Sequence, residues 1–167
     1  FQAEDGINND GEIAGFEMLE NYGKTKGAMK VYPVYSYFSE NLKKAPSLTY
    51  KFALQNEGIY RFDFYINPSN PATQDNYFKF GASVNDKKVL IDVVDKNFAV
   101  GDNQHIWGTD ITNNIRIKSA YFDCQKGINT LKVYAVTPNL VLEKIVLYPN
   151  EFVMKQSYLG PKETYKK

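Results

Sequence analysis

The chain has 167 residues, close to the commonest size of one domain, and that length lets a single core bury most of the chain's surface. Its 43% hydrophobic and 23% charged residues are ordinary for a globular protein and exclude disorder, collagen and a coiled coil. Lys and Arg total 20 against 19 Asp and Glu, so no net field recruits nucleic acid or an anionic membrane.

Period-2 alternation dominates the chain. Gln2 to Asp5, Phe16 to Leu19 and Ala28 to Val34 read as short strands, with a polar loop over Gly6 to Gly15. Ser47 to Leu54 sets Leu48, Tyr50, Phe52 and Leu54 in phase. Gln55-Asn56-Glu57-Gly58 suits a hairpin loop into the next strand, Gly58 to Ile66. There Tyr60, Phe62, Phe64 and Ile66 share one face, while Arg61 and Asp63 point to the other. A loop opens at Asn67-Pro68-Ser69-Asn70-Pro71 and runs to Asn76. Phe78, Phe80, Ala82 and Val84 alternate, Asn85-Asp86 offers a turn, and Lys88 to Val94 resumes the pattern. Lys96 to Asn114 reads as a long loop carrying His105 and Trp107. Ile115 to Phe122, Ile128 to Val136 and Leu140 to Tyr148 complete the strands.

No twelve-residue window forms a capped amphipathic helix. Roughly eight to ten short strands with turns between them predict an all-β fold, an antiparallel β-sandwich. Aromatic residues, at 15%, fit the same class. One sandwich domain is expected over residues 1–163, with a frayed basic tail at 164–167. The longest apolar runs, such as Ile145-Val146-Leu147-Tyr148, fall far short of the about 20 residues that span a bilayer. The chain opens at Phe1 with no signal peptide, which reads as a processed or excised piece.

Reactive side chains are scarce. The lone Cys124 excludes an internal disulfide, and the lone His105 excludes multi-histidine metal sites. No Gly-x-Ser-x-Gly elbow or phosphate loop is present, so catalysis by this chain is not expected.

Trp107 stands among Asp102, Asn103, Gln104 and His105. An exposed indole stacks on the C–H face of a sugar while neighbouring amides bond its hydroxyls, and His105, Asn113 and Tyr77 could assist. The ordinary alternative is a Trp that plugs the core. Arg116, one of two Arg, offers a planar fork for a uronate carboxylate; an internal ion pair is the competing role. Tyr32, Tyr35, Tyr37 and Phe38 suit an interface or the core more than a ligand.

Ser157-Tyr158-Leu159-Gly160-Pro161 resembles the terminal signature of the glycoside hydrolase family 115 C-terminal domain. Similar segments run through the chain in order: Ala45-Pro46-Ser47-Leu48-Thr49-Tyr50, Asn67-Pro68, Asn114-Ile115-Arg116-Ile117, Thr130-Leu131-Lys132-Val133 and Leu142-Glu143-Lys144-Ile145. The opening Ala3-Glu4-Asp5 is shared with carbohydrate-binding modules of families 6 and 35. The resemblance implies a galactose-binding-like jelly roll, an accessory domain of a xylan α-1,2-glucuronidase whose catalytic barrel is separate. It implies a structural calcium on Glu4 and Glu143, against the simple reading of two solvated strand residues. The Asn that such modules place two residues before the last acid is Val141 here, which counts against their usual sugar site.

The expected role is therefore a non-catalytic domain packed on its catalytic domain or on a second subunit, a homodimer included, with weak contact to plant cell-wall polysaccharide. An autonomous module for uronate-bearing polysaccharide and a sugar-free adhesion sandwich are the alternatives. The expected location is secreted, periplasmic or on a bacterial cell surface, without membrane insertion.

Overall fold

The computed structural model describes residues 1–9, 13–34, 41–71, 78–94, 104–154 and 159–162. Tyr35, Tyr37, Phe38, Tyr77, Asp102, Asn103, Ser157, Tyr158 and the tail at 164–167 lie outside the described residues.

Ten strands follow one another as β1 (Ile7–Asn9), β2 (Gly15–Glu20), β3 (Gly27–Tyr32), β4 (Ser47–Leu54), β5 (Gly58–Ile66), β6 (Phe78–Val84), β7 (Lys87–Val94), β8 (Arg116–Cys124), β9 (Gly127–Ala135) and β10 (Val141–Pro149). They form two five-stranded antiparallel sheets. Sheet A runs β2-β3-β10-β5-β8 and sheet B runs β1-β4-β9-β6-β7.

The alternation seen in the sequence becomes the sandwich. Inward residues of both sheets share one core that includes Phe62, Phe64, Leu142 and Ile145 from sheet A and Leu48, Phe80, Val84 and Leu131 from sheet B. Phe64 meets Phe80 across the gap with ring centroids 5.0 Å apart, and Phe62 meets Phe122 edge-on at 5.3 Å. Each such buried ring contributes roughly 1.5–3 kcal/mol by leaving water. Asn85 and Asp86, with φ of 46° and 69°, close the β6–β7 hairpin in the left-handed conformation these residues tolerate.

Four expectations are corrected. Residues Ala3–Asp5 form a 3-10 turn rather than a strand, and Gln2 alone bridges to Lys144. The polar loop after Gly6 contains β1, which pairs with Ser47, Leu48 and Thr49 of β4. Gln55 to Gly58 is not a hairpin: β4 belongs to sheet B and β5 to sheet A, so the link crosses the sandwich. Alternation gives a strand its buried face but not its partner, so both connections look the same in sequence. The long loop holds a helix, α1 (Gln104–Asn113).

The outer face of sheet A forms a regular grid. Register places Lys144, Tyr65 and Ile117 in one row, Val146, Asp63 and Ser119 in the next, and Tyr148, Arg61 and Tyr121 in a third. Residues 159–162 lie over the first of these rows as a strap. Lys144 Nζ donates to Leu159 O at 2.7 Å and to Pro161 O at 3.3 Å, and Gly160 lies on the Tyr65 ring. A side chain at Gly160 (φ 68°) would stand 3.1 Å from that ring, so the Leu159-Gly160-Pro161 part of the terminal signature has a structural reason for its glycine.

Candidate functional site

His105, Trp107 and Asn113 all stand on α1. The helix brings them close in sequence but not onto one face, because residues two apart point in different directions. His105 is exposed, whereas Trp107 is half-buried and packs against the main core. Arg116 follows at the start of β8 and is buried. Its Nε donates to Asp110 Oδ2 of α1 at 2.7 Å, its Nη2 lies 2.6 Å from the same oxygen, and its Nη1 donates to Ser69 O at 3.4 Å. The guanidinium thus ties the helix and the 67–71 segment to sheet A. Tyr77 lies outside the described residues.

The same end of the molecule carries a polar web that alternation does not reveal. Glu143 is 1% exposed. Its Oε1 accepts from Asn67 Nδ2 at 3.1 Å, and its Oε2 accepts from the Lys24 amide at 2.9 Å. Gly23 lies so close to this carboxylate that a Cβ there would collide with it. Asn139 Nδ2 donates to Asn70 O at 2.9 Å, and Ser69 Oγ donates to Asn139 O at 3.0 Å. These residues hold the loops together, and Val141, at the position of the module's sugar-binding Asn, is buried.

The calcium expectation divides between its two residues. Both oxygens of Glu143 already accept hydrogen bonds within the protein. Glu4 Oε2, from the other expected ligand, is buried and accepts none, which is the hard-oxygen chemistry a calcium ion takes. Among the described residues no three His, Cys, Asp or Glu converge as a metal cage. Of the expected pair, Glu4 thus holds a buried oxygen that accepts no hydrogen bond, and each Glu143 oxygen keeps a lone pair beyond the one bond it accepts. Nearby, Tyr50 donates to Ala3 O at 2.8 Å. Burial, reinforced by the charges of Asp5 and Glu4, pushes its hydroxyl far above the usual tyrosine range.

A second polar cluster sits on the outer face of sheet A. Asp63 is 4% exposed on a face that alternation assigns to solvent. Its Oδ1 accepts from Arg61 Nε at 2.7 Å and from Ser119 Oγ at 2.6 Å, and its Oδ2 accepts from Tyr148 Oη at 2.8 Å. Burial, followed by the bond to Asp63, pushes the Tyr148 hydroxyl up to about 12. The Arg61 guanidinium carbon lies 6.0 Å from the Tyr121 ring centroid and 5.8 Å from that of Tyr148. Phe152 meets Tyr148 edge-on. Ile59, Tyr121 and Phe152 are each more than half exposed, so this end of the face is apolar and open.

Cys124 is buried, and burial raises its thiol to about 11, which suppresses the reactive thiolate. No helix of the described residues is long and apolar enough to cross a membrane.

Residues 1–163 match the glycosyl hydrolase family 115 C-terminal domain. No curated protein matches the chain. Among solved structures, the chain is similar to a family 115 4-O-methyl-α-glucuronidase, BtGH115A, with specificity for decorated arabinogalactans. The identity is 17% and the TM-score 0.60, over 86% of this chain and 17% of that one. It is similar to a family 35 carbohydrate-binding module from Clostridium thermocellum at 13% identity and TM-score 0.57, covering 89% of this chain and 95% of that one. An exo-β-1,3-galactanase from Phanerochaete chrysosporium gives 19% identity and TM-score 0.58, over 89% of this chain and 28% of that one. The fold is a jelly-roll sandwich of the galactose-binding-like type. The chain spans about a sixth of the glucuronidase, and what it matches is the C-terminal sandwich, not a catalytic barrel.

Proposed function

Because the chain belongs to the glycosyl hydrolase family 115 C-terminal domain family, we propose that it is the non-catalytic accessory domain of a glucuronoxylan-directed α-glucuronidase. It packs on the catalytic domain or on a second subunit, in a bacterial protein that is secreted, periplasmic or cell-surface. The observation that carries the packing role is the open end of sheet A: Ile59, Tyr121 and Phe152 exposed around an Arg61 that Asp63 and Ser119 hold in place. Tyr and Arg on a rigid support are the side chains that dominate protein interfaces.

The test is sedimentation of the chain alone and mixed with the catalytic part of its own polypeptide. A complex is expected in at least one case, and Ile59→Asp weakens it by at least about tenfold. Monomers throughout reject the packing role.

The likeness to family 35 modules favours a second reading, a glycan-binding module at the α1 end. It predicts retardation in affinity electrophoresis on glucuronoxylan or arabinogalactan, lost in Trp107→Ala. Migration unchanged on both polysaccharides removes it. We further propose that Glu4, with its buried Oε2, and Glu143 supply two oxygens of a calcium shell. Added calcium should then raise the melting temperature, EGTA should reverse the rise, and Glu4→Gln should abolish it.

A further inference from the structure

A slot of about 490 Å³ opens between the sheets beside Phe1. Consecutive residues Lys51 to Leu54 of β4 line one side, and consecutive residues Lys144 to Leu147 of β10 line the other. Successive residues of a strand point to opposite faces, so an unbroken run along a wall means that the strand's edge forms it. Both edges run past their described partners. β1 covers β4 only from Ser47 to Thr49, and β3 covers β10 only at Val141 and Leu142.

The start of the chain takes up the next stretch of β10. Phe1 N donates to Ile145 O at 2.9 Å, and Ile145 N donates to Phe1 O at 2.9 Å, while Gln2 stands opposite Lys144. Exchange of both bonds marks the hydrogen-bonded pair of an antiparallel ladder. That pattern recurs two residues on, so Leu147 turns its N–H and C=O toward the slot.

We infer that the slot seats a further strand on β10, formed by residues joined ahead of Phe1 in a longer polypeptide. The inference rests on the accessory-domain reading and names the junction through which the domain is held to its neighbour. Antiparallel register dictates the pattern of that segment. Its last residue before Phe1 stands opposite Val146, on the outer face beside Met154. The residue before that stands opposite Leu147 and points inward, as Phe1 does toward Tyr50 and Phe52. That second residue is therefore apolar. The slot lining includes Lys51, Lys144 and Lys162 and no carboxylate, so acidic side chains suit the outward positions.

The experiment compares three chains by amide hydrogen exchange at Leu147: the chain beginning at Phe1, one extended by Asp-Thr-Val-Thr, and one extended by Asp-Thr-Pro-Thr. Pro at the inward position has no N–H for the Leu147 carbonyl, and its fixed φ of about −65° departs from strand geometry, so the segment should not seat and its C=O should not reach the Leu147 N–H. Val in the extension should slow Leu147 exchange by at least about tenfold, and Pro should not. Equal exchange in all three chains overturns the inference. So does protection already complete in the unextended chain, or protection that rises with protein concentration, which would make a second copy the occupant. None of these outcomes bears on Ile59, so the packing reading is tested separately.

Discussion

The two ends of sheet A's outer face use the same strands for opposite purposes. At one end the strap closes over Lys144 and Tyr65, and Gly160 sits on the ring as a lid. At the other, three donors converge on Asp63 beneath Tyr121 and Ile59, and the surface stays open. The covered end buries its cation against backbone carbonyls of its own chain. The open end fixes an arginine and leaves the rings around it uncovered. In the packing reading proposed above, the rigid, apolar and open end is the one that meets a partner, whereas the strapped end is covered by the domain's own chain.

Substitutions should separate the two ends. Asp63→Ala has the largest expected effect, a loss of about 3 kcal/mol in urea unfolding, because it strands Arg61, Ser119 and Tyr148 without their shared acceptor. A loss below about 1 kcal/mol would show that water replaces the carboxylate and that the open end is not rigid. Gly160→Ala should cost about 1–2 kcal/mol, because it combines a left-handed backbone with a Cβ against Tyr65. Its effect should be confined to the strap, seen as faster exchange near residues 159–162 with the open end unchanged.

Alkaline titration comes next. Tyr148 holds its proton to about 12 when folded, above the ordinary value of 10.0 that it regains on unfolding. Between those values the unfolded chain binds fewer protons, so stability is intact below pH 10 and falls as pH rises toward 12. Tyr148→Phe should flatten that fall in the urea midpoint; an unchanged slope would assign it to other groups, such as Tyr50. The smallest effect belongs to Tyr121→Ala, within about 0.5 kcal/mol for the isolated chain, since its ring is largely in water already. A large loss there would mean the open end supports the fold and is not kept for a partner.

Much of the sandwich was legible in the sequence because burial of one strand face writes a period of two, as in Tyr60, Phe62, Phe64 and Ile66. Partner choice was not legible, and β4 and β5 were read as a hairpin although they lie in different sheets. Helix α1 escaped notice because Gly108, Thr109 and Thr112 are weak helix formers and its apolar residues trace no clear stripe. It is tied to the body by Trp107, packed against the core, and by Asp110, which accepts from Arg116 six residues on. Asp63 looked solvated because the pattern records which face a residue occupies, not what the neighbouring strands stand over it. Arg61 and Tyr148 supply that cover, and they come from positions whose adjacency depends on register. The calcium pair Glu4 and Glu143 came from family likeness, not from any pattern in the sequence; Glu4 Oε2 is buried without a hydrogen-bond partner, and Glu143 accepts from Asn67 and the Lys24 amide.

The place of β10 has a consequence for how the chain is made. The last of the described strands to be synthesised lies in the middle of sheet A, between β3 and β5. Until it arrives, those two strands have exposed edges and an unfilled gap between them. The half-made domain is thus open to pairing with other chains, and sheet A should close only after β10 has been made.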